Sequence, residues 1–112
     1  MSGVVVLNDL AAFLPVSGVT HADVAVATSA VGLGALNAKT RAVQVQADPA
    51  GGDVRYTLDG STPVAGSHGF VMFAGGVLTL SRVSAQRFQA VRNAGSSGTL
   101  AVQELEFGGL AR

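Results

Sequence analysis

The sequence predicts an all-β fold, a single antiparallel β-sandwich or barrel with an extended apolar N-terminal arm. In Val54–Leu58, hydrophobic and polar residues alternate with period two, and Asp59-Gly60 follows, a dipeptide that suits the positive φ angles of a tight turn. Clusters of Gly, Asp, Ser and Pro recur at intervals of about 8 to 12 residues, which is typical of sandwiches and barrels. The length of 112 residues suits one such domain.

The predicted arm comprises residues 1–18, and the predicted β-domain comprises residues 19–112. A short helical turn is expected around Asp9–Leu14, because a capping residue can begin it and Pro15 ends it. No basic residue precedes the apolar run, and Pro15 ends it well short of the roughly 20 residues of a membrane span, so neither a signal peptide nor an anchor is predicted. An apolar arm must be buried, and we expect it to contact neighbouring subunits or a partner protein, with packing against its own domain as the alternative.

Alternating residues predict the strands of the β-domain. The first is expected to be covered on both faces, because small apolar residues occupy both. The second and third are expected to form a hairpin across the Asp48–Gly52 turn. Ser81–Ala85 fits a short helical turn as well as it fits a strand. The predicted strands are Ala22–Val31, Arg41–Ala47, Asp53–Leu58, Gly69–Phe73, Gly76–Ser81, Gln86–Arg92 and Thr99–Phe107.

The last predicted strand changes its hydrophobic face partway along. Leu100 and Val102 share one face, whereas Leu105 and Phe107 fall on the other, so the change lies near Glu104. Because side chains alternate strictly along a strand, such a change needs either a β-bulge or a strand that passes from the core to a subunit contact.

The composition indicates that part of the protein surface is buried against other molecules. Charged residues make up 12% of the chain and hydrophobic residues 48%, whereas an ordinary soluble domain has about 25% charged residues. Part of the surface is therefore expected to contact copies of the chain or a partner. Seven basic and seven acidic residues cancel without a basic cluster, which argues against nucleic-acid binding. With no cysteine, the chain is expected to fold in a reducing cytosol.

The polar residues predict neither an enzyme nor a metal or cofactor site. His21 and Asp23 are the nearest approach to a ligand pair, and together with His68 they lack the spacing of a zinc site, so both histidines are expected to be solvated. No nucleophile elbow surrounds a serine. The serines considered were Ser61, Ser67 and Ser81.

The carboxylates also have structural interpretations. Glu104 and Glu106 are two residues apart on one strand face and are expected to be solvated. Three aspartates could approach one another around neighbouring turns and bind calcium, although turn formation is the ordinary role of such residues. They are Asp48, Asp53 and Asp59.

The run Val54–Pro63, with strands following near Phe70 and Leu78, resembles two groups of proteins. One is the immunoglobulin-like β-sandwich at the C-terminus of chitobiases and related hexosaminidases, which shares the Tyr-Thr-x-Asp-Gly-Ser-x-Pro element. The other is a set of short tailed-phage virion proteins, which resemble most of this chain: the apolar arm, a strand like Arg41–Ala47, the Arg-Tyr-x-Leu-Asp-Gly hairpin, the Leu-Thr-Leu and Phe-x-Ala-Val-Arg strands and a terminal strand. The predicted sandwich is immunoglobulin-like or jelly-roll-like.

The virion resemblance implies structural work without an active site. The expected function is that of a capsid decoration or cement protein, made in the host cytoplasm and located in the virion. It would bind the major capsid protein or another virion protein as a homo-oligomer, with a trimer as the first expectation, and would bind neither membrane nor nucleic acid. A neck, tail or baseplate component is the alternative. The expected interface residues are Val4, Val5, Val6, Leu7, Leu10, Phe13, Leu14, Leu105 and Phe107.

A carbohydrate-binding β-sandwich is a further alternative, motivated by the Tyr56–Pro63 hairpin. Such a module needs aromatic side chains on a flat surface or in a groove. The chain has no Trp and a single Tyr, and most of its aromatic residues alternate as core residues. Those available are Tyr56, Phe70, Phe73, Phe88 and Phe107.

Overall fold

The computed structural model describes residues 13–18, 22–93 and 97–107. In these ranges the strands pair antiparallel in two sheets that pack together, so the predicted all-β sandwich is confirmed. The elements are β1 (Phe13–Pro15), β2 (Ala22–Val26), β3 (Thr40–Ala47), β4 (Val54–Thr57), β5 (Phe70–Met72), β6 (Val77–Ser81), α1 (Arg82–Arg87), β7 (Gln89–Arg92) and β8 (Gly98–Phe107).

The larger sheet is built around β8. This strand pairs with β3 along one side, and along the other side it pairs first with β2 and then with β1. The outer neighbour of β3 is β6. Because β8 is long enough to hold three partners, it is the strand on which the larger sheet depends.

The smaller sheet has the order β5, β4, β7. The outer side of β7 is covered by the segment that follows β2: Val31 and Ala90 exchange both backbone hydrogen bonds, and Arg92 N–H donates to the carbonyl of Ala27 at 2.8 Å. The chain thus passes directly from the larger sheet to the edge of the smaller one.

The core lies between the two sheets. Along β3 the buried residues Val43, Val45 and Ala47 alternate with exposed glutamines, as the sequence predicts. From the smaller sheet side, Tyr56 stacks on Phe88 with ring centroids 5.6 Å apart. The other core residues are Val26, Val54, Met72, Leu80, Ala85, Ala90, Leu100 and Val102.

The predicted hairpin between the second and third strands is wrong. β3 belongs to the larger sheet and β4 to the smaller one, so the Asp48–Gly52 turn carries the chain across the sandwich. The turn is held by β8 and by the segment before it, because Asp48 N–H donates to the carbonyl of Thr99 and Gly52 N–H to that of Ser97.

Two other predicted strands are corrected. The first is shorter than expected and is covered on one face only, since Asp23 and Ala25 on one face are exposed and Val26 on the other is buried. The strand predicted to begin at Gln86 begins at Gln89, because α1 occupies the preceding residues. The Ser81 side chain caps α1 by accepting a hydrogen bond from Ser84 N–H, so the helical alternative for this segment is confirmed.

A register shift between β3 and β8 lies near Glu104, but it is not the bulge within the last strand that the change of face predicted. Thr40 pairs with Glu106 and Ala42 with Leu105, so β3 advances by two residues where β8 advances by one. The extra residue, Arg41, therefore lies on β3 and not on β8, and such an extra residue locally disrupts the ladder between the two strands.

The end of the predicted arm belongs to the larger sheet. Phe13 and Leu14 form strand β1, where a helical turn was predicted, and β1 pairs with Leu105–Phe107 of the same chain. Val16 is buried and donates its N–H to the carbonyl of Glu104 at 3.0 Å. The rest of the arm, residues 1–12, lies outside the described residues. Among the helices of the described ranges, none has the length and apolar character to span a membrane.

Candidate functional site

The loop between β4 and β5 forms the first candidate site. Its Asp59-Gly60 step turns as predicted, with Gly60 at φ 84°. Further along, Val64 and His68 pair as an isolated β-bridge. This second turn returns the chain to the first, so that His68 lies beside Ser61.

Asp59, Ser61 and His68 form a chain of hydrogen bonds. Ser61 donates both its backbone N–H and its hydroxyl to Asp59 Oδ1, at 3.0 and 2.6 Å. The Ser61 Oγ lies 3.0 Å from His68 Nε2. These bonds, above all the one from the Ser61 hydroxyl, lower the pKa of Asp59 below its ordinary value, so this carboxyl is ionised at neutral pH.

The order of these groups differs from that of a hydrolytic triad. In a triad the histidine lies between serine and aspartate and accepts the serine proton. Here the serine is in the middle and its single hydroxyl proton goes to Asp59, so His68 must donate from Nε2 to Ser61 Oγ. The arrangement orders the loop and leaves the serine without a general base.

The same loop and β5 line an open groove, which we call the Phe70 groove. Its lining residues are Thr57, Leu58, Asp59, Ser61, His68, Gly69 and Phe70. The Phe70 side chain is 63% exposed, and its ring lies 5.7 Å from that of Tyr56, which is buried. Burial also raises the pKa of the Tyr56 hydroxyl.

The floor of the Phe70 groove is held from the outside of the smaller sheet. Arg55 donates from Nη1 to the carbonyl of Gly69 at 2.9 Å and from Nε to Asn93 Oδ1 at 3.0 Å. Gly69 has φ 112°, and a Cβ there would lie 2.6 Å from the carbonyl oxygen of Tyr56. Glycine is therefore required for this close approach of the loop to β4.

The aromatic residues considered for carbohydrate binding divide into two groups. Tyr56 and Phe88 are buried and cannot form a surface platform. Phe70 and Phe73 are 63% and 68% exposed, and of these two only Phe70 lines the Phe70 groove. The Phe107 side chain lies outside the described residues.

The second candidate site is the face of the larger sheet that points away from the core, which we call the outer face. Its residues alternate with buried ones along each strand and lie in rows across the sheet, such as Asp23, Ala101, Gln46 and Val77. Only Asp23 among its members is charged. The outer face consists of Asp23, Ala25, Gln44, Gln46, Val77, Thr79, Thr99, Ala101 and Gln103.

Of the predicted interface residues that the structure describes, Leu105 lies on the outer-face side of β8, whereas Leu14 pairs with Glu106 and lies on the opposite side of the sheet. Leu105 continues the β8 row that includes Gln103 and is half-buried, and Leu14 in β1 is 53% exposed. Phe13 and Phe107 are paired in register between β1 and β8. Val4, Val5, Val6, Leu7 and Leu10 lie outside the described residues.

The prediction that Glu104 and Glu106 form a solvated face is wrong. Both are half-buried. Glu104 Oε1 accepts hydrogen bonds from Asn37 N–H at 2.7 Å and from the Thr40 hydroxyl at 2.6 Å, and Glu106 Oε2 accepts from Ser17 N–H at 2.9 Å. These carboxylates fasten two loops to the end of β8.

The aspartates considered for calcium each bind a backbone N–H. Asp48 Oδ1 accepts from Ala50 and Asp53 Oδ1 from Ala74, both at 2.9 Å. Across residues 13–18, 22–93 and 97–107, no group of three His, Asp or Glu side chains is placed to hold a metal ion. His21 lies outside those residues.

Sequence reasoning identified the Asp59 turn but missed its contact with His68. The two residues are joined by a second turn whose strand-like bridge is formed by one residue pair, too short to produce an alternating pattern. The isolated Ser61 and His68 in a loop rich in turn residues were the available signal. Comparisons of the chain with protein-family models, curated proteins and solved structures found no match.

Proposed function

We propose that this chain is a non-enzymatic structural protein of a phage virion, a capsid decoration protein that binds the major capsid protein as a homo-oligomer. The virion assignment depends on the sequence resemblance, and the mode of action depends on the outer face. The observation that carries the proposal is the near absence of charge across the strands of this face.

The outer face has the composition of an interface core. Charged residues are depleted at the centre of protein interfaces, because each buried charge must be desolvated. The exposed Gln44 and Gln46 on β3 and Thr79 on β6 are uncharged groups that can form hydrogen bonds across a flat contact. Ala101 and Val77 lie in the same row as Gln46 and add small apolar surface.

A charge placed at the centre of the outer face tests the mode of action. Gln44→Lys should weaken self-association or capsid binding by about tenfold or more, since a buried unpaired ammonium costs several kcal/mol. Gln86→Lys is the matched control, because Gln86 is also exposed but lies on α1. Sedimentation velocity measures self-association, and co-sedimentation with capsids measures capsid binding. Equal behaviour of the two variants would reject the outer face as the interface.

The position in the virion is tested separately, by antibody labelling of purified particles in the electron microscope. Label over the capsid supports a decoration protein. Label only at one vertex or along the tail supports the neck, tail or baseplate alternative, and absence from particles rejects a virion function.

A further inference from the structure

We propose that the Phe70 groove binds a neutral saccharide, with one sugar ring stacked on Phe70 and its hydroxyl groups hydrogen-bonded to Asp59 and His68. This activity goes beyond assembly and does not depend on it, because the Phe70 groove lies on the smaller sheet and the outer face on the larger one.

Phe70 is exposed and yet held in place. Its ring contacts Tyr56, which in turn stacks on the buried Phe88, so a row of three rings leads from the core to the surface. A ring fixed in this way loses little conformational freedom when a ligand covers it. Small-molecule sites combine such apolar surface with a few polar groups that fix the orientation of the ligand.

Hydrogen-bonding groups of Asp59 and His68 line the groove beside Phe70. Both bonds from Ser61 go to Asp59 Oδ1, which leaves Oδ2 to accept from a ligand. Since His68 donates to Ser61 from Nε2, a neutral imidazole presents Nδ1 as an acceptor. The groove therefore offers two acceptors next to an apolar ring, which matches a ligand that has hydroxyl donors at the edge of an apolar ring face.

The chemistry of the groove disfavours the other ligand classes. A phosphate or carboxylate ligand brings acceptors and negative charge, and it would meet the ionised Asp59 without a Lys or Arg among the lining residues. A quaternary or methylated ammonium is usually held in a cage of several aromatic rings. Phe70 is the one exposed Phe, Tyr or Trp side chain in the lining of this groove, since Tyr56 behind it is buried.

The test is an NMR titration of the full chain, labelled with ¹⁵N, with cellobiose, maltose, lactose and diacetylchitobiose as separate probes. At least one disaccharide should shift the amide signals of residues 57–61 and 68–70. Phe70→Ala should weaken that binding by about tenfold or more, because it removes the stacking surface. Phe70→Trp should restore it, and Asp59→Asn should weaken it.

The matched control is Phe73→Ala, because Phe73 is as exposed as Phe70 but does not line the groove. Circular dichroism melting verifies that each variant is folded. The proposal is overturned if none of the disaccharides shifts these signals, or if Phe70→Ala and Phe73→Ala have equal effects. It is also overturned if tetramethylammonium chloride or inorganic phosphate shifts the groove signals when no disaccharide does.

Discussion

Glu104→Ala should destabilise the domain far more than an ordinary exposed glutamate substitution. It removes the acceptor of two hydrogen bonds, and one donor, the hydroxyl of Thr40, belongs to a residue that is 0% exposed. A hydrogen bond to a charged group contributes about 1.5 to 3 kcal/mol, and an orphaned buried hydroxyl costs about 1 to 3 kcal/mol. Asn37 N–H is exposed and can bond to water instead. We expect a loss of about 3 kcal/mol in the free energy of unfolding.

Urea denaturation and thermal melting measure this loss. In a domain of this size, each kcal/mol lost from the free energy of unfolding lowers the melting temperature by about 4 °C. The melting temperature of Glu104→Ala should therefore fall by about 12 °C. Glu104→Gln retains a carbonyl acceptor and should cost about 1 kcal/mol. Glu106→Ala is the control, since Glu106 accepts one bond, from the exposed Ser17.

A double-mutant cycle with Thr40→Val identifies the source of the effect. Once the hydroxyl is gone, Glu104→Ala no longer leaves it unpaired, so the double variant should lose clearly less than the sum of the two single variants. Additive losses, or equal losses in Glu104→Ala and Glu106→Ala, would refute the reasoning.

Two further predictions concern the N-terminal segment and acid stability. Deleting residues 1–18 removes β1 and the buried Val16, and it should cost about 2 kcal/mol in a domain that still folds. A melting temperature by circular dichroism equal to that of the full chain would contradict this. The pKa of Asp59 is lowered from 3.8, mainly by the Ser61 hydroxyl, so its contribution to stability is present above pH 3.8 and is lost as the pH falls through the lowered pKa. In Asp59→Asn, the urea concentration at the midpoint of unfolding should therefore fall less steeply as the pH is lowered below 3.8. An unchanged slope would contradict a stabilising role of the ionised Asp59.

Strand positions were predictable from this sequence because hydrophobic and polar residues alternate along a strand as its buried and exposed positions do. Val43 and Val45 fall in β3 with their side chains in the core, as the pattern indicates. Alternation does not report which strand pairs with which, and proximity in sequence suggested a hairpin between β3 and β4. The Asp48–Gly52 turn has the residues of a hairpin turn, but hydrogen bonds from Asp48 and Gly52 to the start of β8 and the segment before it direct it across the sandwich.

The candidate site was harder to predict for a related reason. Glu104 looked like a solvated residue because its partners, Asn37 and Thr40, are more than 60 positions away. His68 is exposed, as predicted, but its contact with Ser61 was not predicted, because a short turn and not an alternating strand brings the two residues together. The exposure of Phe70 and the burial of Tyr56 follow from their strands, since β5 is at the edge of the smaller sheet and β4 is at its centre.

The position of β8 has a consequence for how this chain folds. β8 is the last strand of the described residues. β1 and β2 take their strand pairing from it, and β3 pairs with it on one side and with β6 on the other. During synthesis β3 and β6 can pair before β8 is made, but the larger sheet cannot close until residues up to Phe107 have left the ribosome, and β1, β2 and one side of β3 stay without a partner strand until then. Pairing across such long stretches of chain is slow and leaves sheet edges open to aggregation. A messenger shortened before β8 should therefore yield an insoluble product instead of a smaller folded domain.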